Sequence, residues 1–313
     1  MNKFLNQILN KLIGDEAEVQ AAKKEIKKIY TTFRRKNMKL GASYNIFDGE
    51  ELLPYSIKTI RKHAKYISVV YQTTSNFGNK ASADLKEKLK ALKNEGLIDE
   101  LYFYEPDLKI SAHQNEKNKR DIGLKLAKKN GCNYFISLDA DEFYDEEQFD
   151  KALNYIVLNN IKSSAVSIVE YLKSYENQLV GAYTFPNENN DLYNFYVPFV
   201  IKISKFRLQK HGEGYFPCLA DLTRNLFHAG RFRLFAIQDI AMHHMSSVRK
   251  DLNKKYDNSS ALDSPKEIQE LAKILQQEII DFDFDKNKVL PEDCAIFRKN
   301  IVKKVPNKFN IEL

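Results

Sequence analysis

The 313-residue chain has no tryptophan and only three cysteines, Cys132, Cys218 and Cys294, widely spaced and odd in number. No Cys-x-x-Cys pair occurs, which argues against a zinc ribbon or a disulfide framework and leaves buried thiols in a reducing compartment as the expectation. No apolar run reaches the ~20 residues a bilayer-spanning helix needs. Met1 to Gly14 is interrupted by Asn and Lys, so it does not read as the apolar core of a secretory signal, and a cytoplasmic location is expected. Internal repeats, long low-complexity linkers and a recognisable nucleic-acid module are also missing, and no nucleic-acid partner is expected.

What is present describes an ordinary folded enzyme-sized chain. Hydrophobic residues make up 43% and charged residues 29%, enough apolar surface to build a core without staples. The formal charge of +7 suits nucleic acid, an anionic membrane or a phosphate-bearing ligand, and charge alone does not choose among them. Runs such as Lys86 to Lys93 read as solvated helix faces.

Periodicity gives the architecture. Phe4, Leu5, Ile8, Leu9, Leu12 and Ile13 form a helical apolar stripe that would pack on the domain, a membrane or a partner helix. Glu16 to Tyr30 is also helix-compatible. From Lys39 onward, strand patterns at Leu40–Tyr44, Ile67–Tyr71, Leu101–Tyr104 and Asn133–Leu138 alternate with helix patterns at Glu51–His63, Ala83–Asn94 and Lys117–Lys129. That alternation predicts an α/β fold with a mainly parallel, doubly wound sheet, whose ligands bind at the carboxyl ends of the strands. Asn45, Gln72 and Asp139 then share one rim. Later strands are expected at Ala165–Val169 and Phe199–Ile203, and Ser264-Pro-Lys-Glu267 reads as a capping box opening a helix with Ile268, Leu271, Leu275 and Ile279. The expected organisation is a helical extension over 1–38, a catalytic domain over 39–260 with halves 39–142 and 143–260, and a helical segment over 261–313.

The most informative stretch is Phe135-Ile-Ser-Leu-Asp-Ala-Asp-Glu142, an apolar strand ending in two aspartates one residue apart. Asp139 and Asp141 can turn toward one hard cation, Mn²⁺ or Mg²⁺, that would hold a diphosphate and neutralise its charge as it leaves. The same spacing at Asp281/Asp283 and Asp283/Asp285 lacks the buried strand and reads as a solvated turn.

Three blocks, in order, resemble family 2-type bacterial glycosyltransferases of the GT-A fold. They are Gly41-Ala-Ser-Tyr-Asn-Ile-Phe-Asp-Gly-Glu-Glu-Leu-Leu53 with Ser56-Ile-Lys-Thr-Ile60, then Lys119-Arg-Asp-Ile-Gly123 leading to Leu138-Asp-Ala-Asp141, then Ala241-Met-His-His-Met-Ser246. The resemblance, spanning roughly Lys39 to Asn258, implies a nucleotide-sugar donor site in the first half and a glycan or lipid-linked acceptor in the second. It implies Asn45 and Glu50 near the donor, Asp139 and Asp141 on the metal and diphosphate, and His243 or His244 completing the metal shell. On a strand only one of these histidines faces the metal, and His243 is the first choice because it follows the apolar Ile240–Met242. Gln72 stands where many members carry the aspartate that reads the base, with Asn76 in the next turn. Arg120 and Arg249, with Lys250, Lys254 and Lys255, would reach phosphate or cover it. Asp239, then Asp221 and Glu170, are candidates to take the acceptor's proton. Tyr183, Phe185, Tyr193, Phe195 and Tyr196 would line an acceptor groove or pack as a cluster. The basic surface fits work on cell-surface glycans such as capsule or lipooligosaccharide at the inner membrane face, with peripheral membrane contact. A sugar-nucleotide nucleotidyltransferase is the alternative chemistry, although Gly41 to Gly49 lacks its glycine-rich, lysine-bearing loop. A basic nucleic-acid-binding protein would leave Asp139 and Asp141 unexplained.

Overall fold

The computed structural model describes residues 15–180, 184–186, 192–205, 208–226, 230–263, 266–283 and 302–312. The apolar stripe of Phe4 to Ile13, Tyr183, Ser264, Pro265, Asp285 and Cys294 lie outside them. The chain opens on helix α1 (Glu16–Lys36), capped by Asp15, whose carboxylate accepts from the amide of Glu18. A first sheet follows, built from β1 (Leu40–Ile46), β2 (Ala64–Tyr71), β3 (Glu100–Phe103) and β4 (Tyr134–Asp139). These four strands are parallel, in the order β4-β1-β2-β3. The doubly wound parallel sheet read from the alternation is therefore the observed one.

Two helices, α2 (Leu53–Ile60) and α3 (Leu85–Asn94), carry the chain outward from β1 to β3. The long α4 (Ala112–Lys129) brings it back to β4 beside β1. Strand alternation sorts the two faces. Ala42, Tyr44, Ile67, Val69, Ile136 and Leu138 pack with Leu53, Ile57 and Leu89, whereas Tyr66 and Phe135 pack with Leu124 and Ala127 of α4. The winding direction reverses between β1 and β4, and Asn45 pairs with Asp139 in the register at that point. A crevice at the carboxyl edge is the geometric consequence.

The second sheet begins where the first ends. β5 (Glu142–Phe143) starts three residues after β4 stops, so Asp139-Ala140-Asp141 is the crossing between sheets. Helix α5 (Glu146–Leu158), capped by Asp145, then buries Phe149, Leu153, Ile156 and Val157. The central strand is β6 (Ser163–Leu172), followed by β7 (Asn177–Leu179), β8 (Thr184–Pro186), β9 (Leu192–Asn194), β10 (Tyr196–Pro198), β11 (Ile201–Lys202), β12 (Phe232–Leu234) and β13 (Ala241–Ser247). β11 adds antiparallel to β4 of the first sheet, and it is all that forms of the strand expected at Phe199–Ile203. Helices α6 (Leu252–Tyr256) and α7 (Lys266–Asp281) precede β14 (Val302–Lys304), which pairs with β7. The second sheet runs β14-β7-β6-β13-β5, so the C-terminal segment supplies a strand as well as a helix. No helix among the described residues is long and apolar enough to cross a membrane.

One contact sets how closely α4 approaches β1. A Cβ on Gly123 would lie 2.1 Å from Ser43 Oγ, so only glycine fits against that strand. Alanine would gain about 1 kcal/mol of helix propensity but force a shift costing roughly 1–3 kcal/mol. Gly123→Ala is expected to lower the urea midpoint, and Ser43→Gly in the same chain to recover most of the loss.

Candidate active site

The carboxyl ends of β1, β2 and β4 open into a cavity of about 220 Å³ whose lining includes Asn45, Gln72, Asn76, Glu116, Arg120, Asp139, Asp221, Arg249 and Lys255. Asp139 sits at its floor. Both its oxygens accept from Arg120 Nη2 at 3.2 Å, while Arg120 Nη1 is anchored on Ser137 Oγ at 2.9 Å. Arg224 reaches the same carboxylate and also Glu142, 2.5 Å from its Oε1, with its Nε on Asp221 at 3.2 Å. Asp141 is fully buried and bound by Arg249 Nη2 at 2.5 Å, with Lys255 Nζ at 3.8 Å.

Arg249 has to pass over the first loop to reach Asp141, and its Nη1 meets Asp48 at 2.6 Å on the way. Gly49 makes room for it. Its φ is +74°, and a Cβ there would sit 2.8 Å from the guanidinium carbon. Burial alone would raise the pKa of both aspartates. The adjoining Arg120 and Arg224 for Asp139, and Arg249 with Lys255 for Asp141, overcome that and hold both well below the usual carboxylate range. Glu142 moves the other way, raised by burial and by the negative charge of Asp139, which together outweigh the lowering by Arg224.

Polarity on the opposite wall follows from a single carboxylate. Glu116 is held below the usual range despite its burial, because Lys119 and Arg120 lie beside it, and Lys119 Nζ is 2.7 Å away. An ionised carboxylate only accepts, so Asn76 must donate its Nδ2 to Glu116, at 3.1 Å. Asn76 Oδ1 is then the acceptor for Gln72 Nε2 at 3.2 Å. Asn45 Nδ2 donates to the other oxygen of Glu116 at 3.2 Å. Asn45 and Gln72 therefore spend their amide nitrogens on these bonds and keep their carbonyl oxygens as unspent acceptors. Asn45 Oδ1 and Gln72 Oε1 are buried and find no hydrogen-bond partner among the described residues. The wall is built to receive N–H or O–H donors.

The histidines separate as alternation requires, but in the reverse of the expected choice. In the register, His244 lies between Glu142 on β5 and Glu170 on β6, while His243 lies between Phe143 and Val169. His244 Nδ1 is 2.7 Å from Glu170, and its Nε2 is 3.9 Å from Asp141 Oδ1. Burial would lower its pKa, but Glu170, with Asp141 and Glu142 nearby, raises it to about 9. His243 faces away, 2.8 Å from the Tyr171 hydroxyl and edge-on to Phe309, so it is not the histidine beside the aspartates.

The other candidates divide. Asn45, Gln72, Arg120, Arg249 and Asp221 line the cavity, and Glu170 is linked to it through His244. Glu50 is buried beside Lys88, at 3.4 Å, outside the lining. Asp239 precedes β13, half exposed and paired with Arg233 at 3.5 Å in a separate groove. Glu116, Lys119, Asp48 and Arg224 escaped the sequence reading. Glu116, Lys119, Arg120 and Gly123 do repeat at helical spacing, a signal for the first two. The side chains of Phe185 and Tyr193 lie outside the description, although their backbones pair across β8 and β9.

A divalent cation was expected at Asp139 and Asp141. Both carboxylates are instead taken up by guanidinium groups, and no three His, Cys, Asp or Glu side chains gather as a ligand set among the described residues. The donor set in this arrangement does not fit a metal cage.

No protein-family model matches the chain, and no curated protein matches it. Solved structures do. TarS of S. aureus, a GT-A-fold glycosyltransferase, is 11% identical with a TM-score of 0.40, covering 82% of this chain and 46% of that one. TarS 1–349 in complex with UDP-GlcNAc gives 12%, 0.39, 82% and 78%. GalNAc-T7 with UDP, GalNAc and Mn²⁺ gives 19%, 0.32, 42% and 23%. This chain thus spans less than half of TarS. The likeness is one of fold, and at these scores it assigns no residue a role.

His243 offers a test of the placement. Burial lowers its pKa from 6.5 to about 4, so the unfolded chain binds more protons between those values. Stability is full above pH 6.5 and falls as pH drops toward 4. In urea titrations across that window, His243→Gln is expected to reduce the slope of stability with pH by up to about 1.4 kcal/mol per unit.

Proposed function

We propose that the chain is a glycosyltransferase moving a sugar from a nucleotide-sugar donor to a glycan or lipid-linked acceptor. The observation that carries this reading is the pairing, in one crevice of a doubly wound sheet, of an acceptor-lined wall with a floor of arginines. Asn45 and Gln72 offer carbonyl oxygens suited to the N–H edge of a base. Arg120, Arg249, Lys119 and Lys255 surround the place where a diphosphate would lie, and guanidinium forks match phosphate oxygens. The structures of TarS with UDP-GlcNAc and of GalNAc-T7 with UDP are consistent with such a ligand.

In the reaction, the acceptor oxygen bonds to the anomeric carbon as the bond from that carbon to the diphosphate breaks. Fixed cations stabilise the negative charge arriving on the leaving diphosphate, and they do so without reorganising because the aspartates already hold them in place. The acceptor hydroxyl's proton needs a carboxylate. Asp221 is our choice, since it is the one of the three candidates that lines the cavity. Thr223 and Arg224 orient it. Mn²⁺ or Mg²⁺ remains part of this proposal only as a variable of the experiment, because a cation must first displace Arg249 from Asp141. A role in cell-surface polysaccharide synthesis, at the cytoplasmic face of a membrane, belongs to the same reading.

A thermal-shift panel of UDP-, GDP-, CMP- and dTDP-sugars, each with and without Mn²⁺, tests it. One nucleotide class is expected to raise the melting temperature. Gln72→Met, which removes the base acceptor, should weaken that nucleotide by about 1–3 kcal/mol, roughly 5- to 150-fold. No shift with any donor, in either metal condition, would end the proposal.

A further inference from the structure

Helix α1 leaves the C-terminal half of its apolar face exposed. At 100° per residue, Val19, Ala22, Ile26, Ile29, Tyr30 and Phe33 fall within an arc of about 100°, a continuous apolar stripe. A helix resting on a globular domain turns such a stripe inward. Here the contact with α5 is made by the polar side instead. Arg35 Nη2 lies 3.7 Å from Asp150, and Arg34 Nε donates to the carbonyl of Val157 at 3.4 Å. At the start of the stripe Val19 is buried and Ala22 and Ile26 are half-buried, while toward its end Ile29, Tyr30 and Phe33 are 62%, 46% and 64% exposed. Among the described residues, those three join none of the buried clusters.

The charge around this stripe selects its partner. The helix carries seven Lys and Arg against three Glu. Lys23, Lys27 and Arg34 border one edge of the stripe, and Lys36 stands at the other. Apolar side chains that face out, framed by cations on long stems, match an interface of acyl chains below and anionic headgroups above. The helix also sits at a suitable end of the molecule. Asn133 Nδ2 donates to the carbonyl of Asn37, and the amide of Lys39 donates to Asn133 Oδ1, each at 2.8 Å. These bonds tie α1 to the amino edge of β1 and β4, whereas the cavity opens at the carboxyl edge, about 20 Å along the strands.

We propose that the exposed face of α1, centred on Ile29, Tyr30 and Phe33, docks the protein onto an anionic lipid bilayer. Ile29 and Phe33 enter the acyl boundary, and Lys23, Lys27 and Lys36 meet the headgroups. Held this way, the donor cavity faces the aqueous side and stays open. The inference does not depend on the nature of the donor, since the surface and the cavity are at opposite ends of the sheet.

The absence of tryptophan gives a clean test, because Phe33→Trp would introduce the only tryptophan of the 313 residues. With phosphatidylcholine vesicles containing about one third phosphatidylglycerol, its emission is expected to shift to the blue and to return toward its starting position as salt is raised. Pure phosphatidylcholine should leave it nearly unchanged. In flotation with the same anionic vesicles, Ile29→Glu and Phe33→Glu should each cut the bound fraction about tenfold. Circular dichroism and the melting temperature should match the parent chain. No blue shift with anionic vesicles would overturn the proposal. So would a shift that appears without lipid and grows with protein concentration, which would make the stripe a contact between copies of the chain.

Discussion

The crossing of the chain from one sheet to the other at Asp139-Ala140-Asp141 is the constraint on which the site depends. β4 ends in the first sheet at Asp139, and β5 begins in the second at Glu142, leaving no slack between them. The Asp141 carbonyl accepts from the amide of Met245 at 2.7 Å, which pins the crossing to β13. Three acidic side chains are thereby brought together in a largely buried place, where uncompensated carboxylates would cost several kcal/mol each. Arg120, Arg224 and Arg249 offset that cost, and each comes from a different part of the chain. Helix α4, the loop before β12 and the segment after β13 are therefore tied to one point. The two sheets share one hydrophobic cluster, with Ile136 and Leu138 of the first and Val166 and Ile168 of the second, and this charge exchange ties them together at the crevice.

Glu116 organises the opposite wall by a simpler logic. A carboxylate kept ionised by Lys119 and Arg120 has no proton to give, so every amide it touches must turn its nitrogen inward. Two residues at strand ends, Asn45 on β1 and Gln72 just past β2, are then left with a buried, unpaired carbonyl oxygen each beside the cavity they line. An aspartate at position 72 would present oxygen too, but with a negative charge beside Glu116. The amide gives the same hydrogen-bonding polarity to a ligand without that repulsion, and Asn76 is the link that makes the orientation unambiguous.

The alternation from Leu40 to Leu138 was legible because each strand is a short apolar run and each helix a periodic one. The rim residues Asn45, Gln72 and Asp139 followed from the fold rule. Boundaries moved where side chains compete with pattern. β1 continues through Asn45, which the pattern treats as a breaker, because β2 and β4 flank it on both sides. Helix α4 begins five residues earlier than Lys117, where the Ser111 hydroxyl accepts from the amide of Gln114. Helix α5 has a clear apolar period at Phe149, Ala152, Leu153 and Ile156, yet no expectation covered it. Choosing between His243 and His244 required the register of β5 and β6, which places carboxylates beside one and Phe143 and Val169 beside the other. Arg224 had no signal at all, since it lies on an irregular loop and meets Asp139 across 85 positions of sequence.

The cavity lining is balanced in formal charge, with Asp48, Glu116, Asp139 and Asp221 against Lys119, Arg120, Arg249 and Lys255. Under the proposed function, a diphosphate entering this space would add negative charge and compete with Asp139 and Asp141 for the same guanidinium groups. Binding therefore amounts to an exchange of anions around cations that are already ordered. Ordering a long cationic side chain from solution costs up to about 2 kcal/mol of conformational entropy. Here the carboxylates and Gly49 have fixed the arginines beforehand, so most of that cost falls on folding rather than on binding. The aspartates then act as placeholders for the phosphate oxygens they resemble. On this view the motif that first drew attention as a candidate metal ligand is, in this chain, also what keeps the arginine floor ready.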